Sequence, residues 1–308
     1  MFASSTVGER LDGVNTVKLS GVRDFDVAKV FDCGQCFRFN PVKGTAHEVE
    51  FSGIAMGRFI SVAQDGDTLT IYNSTVEEFE QIWRHYLALD EDYCAIAKDI
   101  MSRSENGALR RAVEYGRGIR ILRQEPWEAV CSFIVSQNNN IPRIKKIIEA
   151  MAEKCGERID VPDAMLTKVT EGTSLHAFPT SAALAELGVD GLFELRTGFR
   201  AKYIYDAALK DISGEIDYEL LRSADSTAEC AEHLCRIKGV GPKVASCALL
   251  FGFGRLDSFP IDVWIKKVIS KYFSADGESF SPEALGRYAG VAQQYLFYYE
   301  RYLAEEDR

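Results

Sequence analysis

The sequence lacks features that define several large protein classes. Its 308 residues contain no run of 18 apolar side chains, so no segment is predicted to cross a membrane as a helix. The start, MFASSTVGERLDG, has neither the basic nor the apolar region of a signal peptide, which predicts an intracellular protein. A basic targeting cluster is also missing, which favours a prokaryotic cytoplasm over a nucleus. Neither a Walker A loop nor a dinucleotide-binding glycine motif occurs, which argues against a nucleotide cofactor.

Cysteine occurs eight times, but without the spacing of a disulfide framework or a metal site. In a reducing compartment such cysteines are expected to be free thiols that pack as small apolar groups. Cys33 and Cys36 form a C-x-x-C pair, yet no second pair and no βαβ pattern accompany it. A zinc site made of Cys230, His233 and Cys235 would require a coincidence of folding. We therefore predict no metal ion and no organic cofactor.

The excess of positive charge that is typical of nucleic-acid-binding proteins is missing too, because the net charge is −10. Contact with phosphate, however, depends on local charge. Residues 236–271 contain seven Lys or Arg and only two Asp, and Arg143, Lys145 and Lys146 form a second basic group. The acidic composition therefore leaves DNA binding open.

The hydrophobic pattern predicts an α+β protein with two domains, residues 1–116 and 117–308. The first is expected to be an antiparallel sheet with helices, since TVKLSGV, CFRF and GRFISVAQDGDTLTIYN are short alternating segments. The last of them contains Asp65-Gly66, a pair favoured in hairpin turns. The second domain has helical periodicity throughout, with Pro142 opening one helix. Further helices are predicted at roughly 181–188, 191–196, 200–211, 225–238, 242–252, 262–273 and 282–304.

The stretch CRIKGVGPKVASCALLFGFGRLDSFPIDVWIKKVI is the most informative part of the sequence. It predicts a helix that ends at Gly239, a tight Gly239-Val240-Gly241 turn, and a second helix opened by Pro242. Glycines let the backbone approach another surface closely, and a helix start presents free N–H groups and a positive dipole. This helix-hairpin-helix is suited to bind a DNA phosphate, although a lone Gly-x-Gly turn can also be purely structural.

Two ionisable residues follow the turn. Lys243 lies in the first turn of the second helix, where the dipole disfavours a positive charge, and a neutral amine is a nucleophile that can form a Schiff base. An isolated lysine at such a position more often contacts phosphate. Asp262, 19 residues later, can cap the helix VWIKKVI. A carboxylate near the hairpin could also stabilise a cationic sugar, and the joint pattern is more specific than its parts.

This joint pattern resembles the helix-hairpin-helix DNA glycosylases and, within them, the 8-oxoguanine DNA glycosylase/lyase branch. The resemblance spans about residues 16–303 and includes FDCGQCFRF, GIRILRQEPWEAVCSFIVSQNNNIPRI, FPTSAALAELGVDGLFELRTGFRAKYI and YAGVAQQYLF in order. SQNNNIPRI and GVGPKVASC are its most specific motifs. It implies an enzyme that flips a damaged purine out of duplex DNA and cleaves its glycosidic bond. Lys243 would be the attacking amine and Asp262 its carboxylate partner.

The resemblance implies which residues hold the extruded base. Gly34 matches a glycine whose carbonyl accepts a hydrogen bond from the ring N–H found only in oxidised guanine, and Gln293 matches a contact to the pairing edge. Cys247 and Phe297 match the two faces of the base slot. Spacing supports these matches, because Lys243 and Cys247 share a helix face, as do Gln293 and Phe297. Without the resemblance, the thiol and the ring would be interpreted as core residues.

A second set of matches concerns the DNA around the lesion. Asn138 belongs to an asparagine triplet that fills the gap left by the flipped base. Arg143 and Arg200 match residues that recognise the orphaned cytosine, and Phe199 matches the aromatic wedge beside it. Without the resemblance, Asn138 and Arg143 would be interpreted as solvent-contacting or capping residues. Arg200 would be interpreted as a surface charge and Phe199 as a core ring.

Two positions depart from this branch. Trp264 stands where the animal enzymes have a histidine near a DNA phosphate, so that contact is not predicted, and Phe199 replaces a tyrosine and lacks its hydroxyl. The related endonuclease III enzymes bind an iron–sulfur cluster through four closely spaced cysteines after the hairpin domain. No cysteine follows Cys247 here, so that cluster is not expected.

The sequence therefore predicts a monomeric glycosylase and abasic-site lyase that removes 8-oxoguanine from double-stranded DNA and prefers cytosine opposite the lesion. Two alternatives stay open. A glycosylase for another damaged purine, such as an alkylated one, would use water activated by the aspartate and generally lacks the hairpin lysine. A non-catalytic helix-hairpin-helix DNA-binding protein would need neither the Lys–Asp pair nor Gln293 with Phe297.

Overall fold

The structure, a computed structural model, describes residues 5–273 and 280–306. Within these residues six strands form one antiparallel sheet in the order β1-β2-β6-β5-β4-β3, which confirms the predicted N-terminal sheet. The strands are β1 (Ser5–Leu11), β2 (Val14–Ser20), β3 (Phe39–Pro41), β4 (Val49–Ala55), β5 (Arg58–Asp65) and β6 (Thr68–Tyr72). Asp65 pairs with Thr68, so the β5–β6 hairpin turns at Gly66 and Asp67, one residue later than the predicted pair.

Helices make up most of the remaining described chain and confirm the α+β class. In the first part of the chain they are α1 (Val27–Asp32), α2 (Val76–Glu78), α3 (Arg84–Tyr86), α4 (Tyr93–Ser102) and α5 (Gly107–Tyr115). The helical part contains α6 (Pro126–Ser136), α7 (Ile141–Cys155), α8 (Ser181–Leu192), α9 (Ala201–Ile212), α10 (Tyr218–Ser223), α11 (Thr227–Leu234), α12 (Pro242–Gly252), α13 (Val263–Tyr272) and α14 (Ala289–Glu306). No helix in these described ranges combines the length and the apolar character that crossing a membrane requires.

The sheet has its own apolar core. Apolar side chains of β2, β4, β5 and β6 pack against α1 and against the segment from α2 to α3, which passes through a π-helical turn at Phe79–Trp83. Phe79 and Trp83 are fully buried there. Thr75 and Glu78 start this segment with a capping box, which satisfies two otherwise unpaired backbone N–H groups.

The helices α4 and α5 were not predicted, because the first 116 residues were interpreted as mainly β. Their apolar residues pack into the core of the helical part, and α5 packs against α14. Lys29 of α1 donates to the carbonyls of Tyr115 and Arg117 at 2.9 and 3.1 Å, which connects the sheet to the end of α5. The division of the chain at residues 116 and 117 stays a prediction.

Two predicted helices are irregular. The segment predicted at 191–196 forms the end of α8 and then a π-helical turn, Phe193–Thr197, in which Arg196 has φ +62°. The helix predicted at 282–304 starts as a 3₁₀ turn, Pro282–Tyr288, and becomes α14 only after Gly286, which has φ +66°. Both breaks occur where positive φ interrupts the regular helical hydrogen bonds.

Candidate active site

A cavity of about 880 Å³ opens where both parts of the chain meet. It is lined by the loop after α1, the α6–α7 junction, the start of α12, the start of α13 and one face of α14. Eight of the predicted site residues line it: Gly34, Asn138, Gly241, Lys243, Cys247, Asp262, Gln293 and Phe297. The cavity therefore brings together residues that are far apart in sequence but were assigned to one site.

Lys243 lies in the first turn of α12, as predicted. The N-cap residue Gly241 has no side chain to bond the first amides, and Pro242 at the first helical position has no N–H to satisfy. The amine Nζ is 3.5 Å from the hydroxyl of Ser136 and 5.9 Å from the centre of the Phe133 ring. Within the described ranges it forms no ion pair with a carboxylate, so the amine faces the cavity without a neutralising partner.

Asp262 is the N-cap of α13, as predicted from Pro260 and the following helix. Its Oδ1 accepts hydrogen bonds from the amides of Trp264 and Ile265 at 2.9 and 2.8 Å. Two bonds to one oxygen fix the carboxylate at the wall of the cavity that Lys243 also lines. The capping role and a charge role are therefore both compatible with the geometry.

The base slot predicted from the resemblance is built by α12 and α14. Cys247 is 5% exposed, and burial raises the pKa of its thiol, while the positive charge of Lys243 has the opposite, smaller effect. Gln293 is 4% exposed, and among the described residues its buried Oε1 has no hydrogen-bond partner. A buried carbonyl oxygen without a partner is costly, so this atom is suited to accept a hydrogen bond from a ligand.

The loop that contains Gly34 reaches the slot from the sheet domain. Gln294 Nε2 donates to the carbonyl of Cys33 at 2.8 Å, which fixes this loop against α14. Gly34 has φ +83°, a conformation that favours glycine, and a Cβ atom there would lie 3.7 Å from Cε1 of Phe297. The backbone of Gly34 therefore lies directly beside the Phe297 ring, which is predicted to form one face of the slot.

The hairpin turn has the predicted conformation, although α11 ends earlier than expected, at Leu234. Gly239 has φ +77°, and a Cβ atom there would lie 2.4 Å from the ring of Tyr203, so only glycine fits. Val240 is buried and donates its N–H to the carbonyl of Ile237 at 3.0 Å. A Cβ atom on Gly241 would meet nothing within 4 Å, so this glycine faces open space at the helix start.

The asparagine triplet connects α6 to α7 at the cavity edge. Asn138 is exposed and has φ +46°, and Asn140 caps α7 by accepting from the amide of Arg143 at 3.0 Å. The side chain of Arg143 is exposed next to the triplet. Asn138 and Arg143 are thus accessible to a macromolecule that covers the cavity.

Arg200 and Phe199 lie outside the cavity lining. Arg200 is 2% exposed, and its guanidinium donates to the carbonyls of Gln137 and Asn138, with Nε 2.9 Å from the first and Nη2 2.9 Å from the second. Burial lowers the pKa of this guanidinium, and the charge of Arg143 lowers it further. Phe199 is 47% exposed and meets the Tyr203 ring edge-on at 5.8 Å. In this structure Arg200 therefore supports the asparagine loop, while Phe199 is accessible.

Several cavity residues were not predicted. Ser136 and Phe133 contact the amine of Lys243, and Arg301 lines the cavity beyond Phe297. Ser136 directly precedes Gln137 and the asparagine triplet, so the motif SQNNN contained a signal for it. Arg301 is four residues after Phe297, and extending the helical spacing by one step would have found it.

The side chains considered for a zinc site have other roles. Cys230 Sγ lies 3.6 Å from the carbonyl of Leu220, and Nε2 of His233 accepts from the amide of Asp217 at 3.0 Å. In the part of the chain that the structure describes, no group of three His, Cys, Asp or Glu side chains is placed to bind a metal ion.

Two family models match the chain one after the other. The 8-oxoguanine DNA glycosylase N-terminal domain model matches residues 19–130. The model of the HhH-GPD superfamily of base excision DNA repair proteins matches residues 131–286 and so includes the hairpin, Lys243 and Asp262.

Individual proteins are similar to the chain over different lengths. An N-glycosylase/DNA lyase of Saccharomyces cerevisiae is 35% identical over 167 residues, which cover 50% of this chain and only 42% of the yeast protein. An N-glycosylase/DNA lyase of Arabidopsis thaliana is 27% identical over 289 residues, which cover 87% of this chain and 75% of the plant protein. The Clostridium acetobutylicum 8-oxoguanine glycosylase/lyase, solved with double-stranded DNA containing cytosine opposite 8-oxoG, is 35% identical. The two structures superpose with a TM-score of 0.85, and the superposition covers 99% of this chain and 100% of the Clostridium chain.

Proposed function

The chain belongs to the HhH-GPD superfamily of base excision DNA repair proteins, in its 8-oxoguanine glycosylase branch, and we propose that Lys243 is its nucleophile. It is an N-glycosylase and abasic-site lyase that acts on 8-oxoguanine in DNA repair. Its proposed substrate is double-stranded DNA in which the oxidised base is paired with cytosine. The position of the Lys243 amine, open to the same cavity as Asp262 and the base slot, is the observation that supports the proposal most strongly.

The proposed reaction starts with the damaged nucleotide extruded into the cavity. Neutral Nζ of Lys243 forms a bond to C1′ of the sugar, while the bond from C1′ to N9 of the base breaks and the base leaves with the electron pair. The base takes up a proton and the amine loses one. The carboxylate of Asp262 stabilises the positive charge that develops on the sugar.

The covalent intermediate then opens to a Schiff base. The C1′–O4′ bond breaks as the nitrogen forms a double bond to C1′, and O4′ takes up a proton. Loss of a proton from C2′ and departure of the 3′ phosphate cleave the strand by β-elimination. Water then hydrolyses the remaining imine and regenerates the amine, so the cycle needs no oxidant or reductant.

The base slot supports recognition of an oxidised purine. In the proposed complex the ring lies between Cys247 and Phe297, and Gln293 bonds its pairing edge. The carbonyl of Gly34 accepts the hydrogen on N7, which intact guanine lacks, because N7 of guanine is only an acceptor. The unpartnered Oε1 of Gln293 and the proximity of Gly34 to Phe297 support this arrangement.

The preference for cytosine opposite the lesion is assigned mainly to Arg143. Cytosine presents two acceptors, N3 and O2, on the edge that loses its partner, whereas adenine presents an acceptor and a donor there. An arginine has only donors, so it matches cytosine better. Arg143 is exposed beside the asparagine loop, and Arg200, which bonds that loop, would need to release Gln137 and Asn138 to reach a base.

The proposal is tested by incision of duplexes that contain one 8-oxoguanine opposite cytosine, with borohydride present to reduce a Schiff base. The unchanged protein should cut the strand and become covalently trapped, whereas Lys243→Gln, which keeps the helix but removes the amine, should do neither. Normal trapping and cutting by Lys243→Gln would show that another group is the nucleophile.

The same assay separates the two alternatives. Cutting of a 3-methyladenine duplex in preference to an 8-oxoguanine duplex would indicate an alkylpurine glycosylase. Tight binding of the lesion duplex without any base release would indicate a non-catalytic DNA-binding protein.

A further inference from the structure

An arginine that the proposed mechanism does not use lies at the edge of the base slot. Gln293, Phe297 and Arg301 follow one another on α14 at intervals of four residues and so share one face of the helix. All three line the cavity that contains Lys243. This face therefore presents an amide, an aromatic ring and a guanidinium in a row.

The guanidinium of Arg301 lies beside the loop that contains Gly34. A Cβ atom on Gly34 would lie 3.7 Å from Cε1 of Phe297 and 3.8 Å from Nη1 of Arg301. The centre of the Tyr302 ring lies 5.5 Å from the same guanidinium, which limits its freedom to swing away. A guanidinium nitrogen is thus held where the slot meets the backbone of Gly34.

We propose that Arg301 donates a hydrogen bond to an exocyclic carbonyl oxygen of the extruded base and thereby contributes to base specificity. The proposal rests on the function proposed above, in which the carbonyl of Gly34 accepts the hydrogen on N7 of 8-oxoguanine. In that base N7–H lies between the C6 oxygen and the C8 oxygen. A donor beside Gly34 faces one of these two atoms, and both are acceptors only.

Each of the two oxygens would give a different selectivity. Contact with the C8 oxygen favours the oxidised base over guanine, which has no oxygen at that position. Contact with the C6 oxygen favours guanine-type bases over adenine-type bases, which have an amino group there and would place a donor against a donor.

The first measurement compares Arg301→Met with Arg287→Met. Arg287 is a matched control, because it stacks on the next tyrosine in the same way, with 4.7 Å from its guanidinium to the Tyr288 ring, but is exposed and does not line the cavity. Single-turnover rates on 8-oxoguanine opposite cytosine, measured with enzyme in excess over the duplex but below saturation, should fall about 10- to 150-fold for Arg301→Met, as expected for one hydrogen bond to a charged group. Arg287→Met should match the unchanged protein.

The second measurement identifies the contacted atom. The same proteins are assayed on 2,6-diamino-8-oxopurine, in which an amino group replaces the C6 oxygen, and on 8-thioguanine, in which sulfur replaces the C8 oxygen. Both bases keep the hydrogen on N7. The loss caused by Arg301→Met should shrink to less than about threefold on the base whose contacted oxygen is replaced, and should persist on the other.

The ratio between bases does not depend on the fraction of folded enzyme, so it stays informative even if Arg301→Met is destabilised. Arg301→Gln keeps a neutral hydrogen-bond donor, so its rate on 8-oxoguanine should lie between the rates of Arg301→Met and the unchanged protein. An equal loss on all three bases would overturn the proposal, because it would show a phosphate contact or a structural role. Rates equal to those of the unchanged protein would overturn it as well. If the unchanged protein fails to release 8-oxoguanine, the proposed function fails, and this inference with it.

Discussion

Asp262 has two roles in the proposed mechanism, and substitution can separate them. As the N-cap of α13 its Oδ1 accepts from two amides, at 2.9 and 2.8 Å. Asparagine keeps an oxygen at this position and caps a helix about as well as aspartate. Asp262→Asn therefore keeps both hydrogen bonds and removes only the charge.

The magnitudes of the two roles differ enough to be distinguished. Loss of a negative charge at a helix N-terminus costs about 0.3–1 kcal/mol of stability, and Asp262→Ala, which also loses the cap, costs about 0.5–2 kcal/mol. Loss of electrostatic stabilisation at a cationic transition state slows the chemical step roughly 100- to 1000-fold. If the charge acts in catalysis, both variants should be slowed to a similar extent although their stabilities differ.

The assay is base release from 8-oxoguanine opposite cytosine under single-turnover conditions with enzyme in excess, so that product release does not contribute. Thermal unfolding of each variant serves as the stability control. The charge role would be refuted if Asp262→Asn released the base at a rate within about threefold of the unchanged protein while Asp262→Ala was slow. In that case Asp262 would act only as a helix cap.

The described contacts lead to four further predictions. Gly239→Ala should destabilise the protein by about 2–4 kcal/mol in urea unfolding, because it combines positive φ with a clash against the Tyr203 ring. Gly241→Ala should leave stability nearly unchanged, because its Cβ meets nothing, but should weaken binding of an undamaged duplex if a phosphate approaches the helix start. Arg143→Ala should reduce the preference for cytosine over adenine opposite the lesion, which we expect to be about 5- to 150-fold, and the ratio of the two cutting rates measures this independently of stability. Gly34→Ala should lower activity on 8-oxoguanine, measured as single-turnover base release, because its φ of +83° is strained for alanine.

The parts of the site that depend on local rules could be predicted from the sequence. Pro242 at a helix start and Asp262 after a proline follow capping preferences that depend on a few adjacent residues, and both helices begin there. The spacing of Cys247 from Lys243 and of Phe297 from Gln293 depends only on helical geometry, and all four side chains line the cavity.

The sheet domain was predicted less completely, for identifiable reasons. The strand β4 is buried along nearly its whole length, and the alternation of apolar and polar residues in its sequence is limited to residues 49–52, so it was not recognised. The edge strand β1 is almost entirely exposed, which removes the apolar face that identifies a strand. Helices α4 and α5 were missed because the alternating segments that precede them dominated the interpretation of the first 116 residues.

The position of Arg200 shows a different limit of sequence comparison. The resemblance assigns it to the orphaned cytosine, which stays a prediction, and in this structure its buried guanidinium bonds the backbone of the asparagine loop. A motif identifies which atoms are available, but the partner of a long side chain depends on which loop packs against it. Arg143, at the exposed start of α7, requires no such rearrangement to contact DNA.

The base slot depends most strongly on tertiary structure. Gly34, its proposed specificity residue, and the Phe297 ring belong to opposite ends of the chain, and the bond from Gln294 to the carbonyl of Cys33 spans 261 positions. No local pattern indicates such a contact, since each partner alone has the sequence environment of a core residue. Because this bond fixes the loop against α14, the distance between the Gly34 carbonyl, which is proposed to accept the hydrogen on N7, and the Phe297 ring, which is proposed to stack on the base, depends on how the loop after α1 packs against α14. Selectivity for the oxidised base is therefore expected to depend on this domain contact as well as on the residues that touch the base.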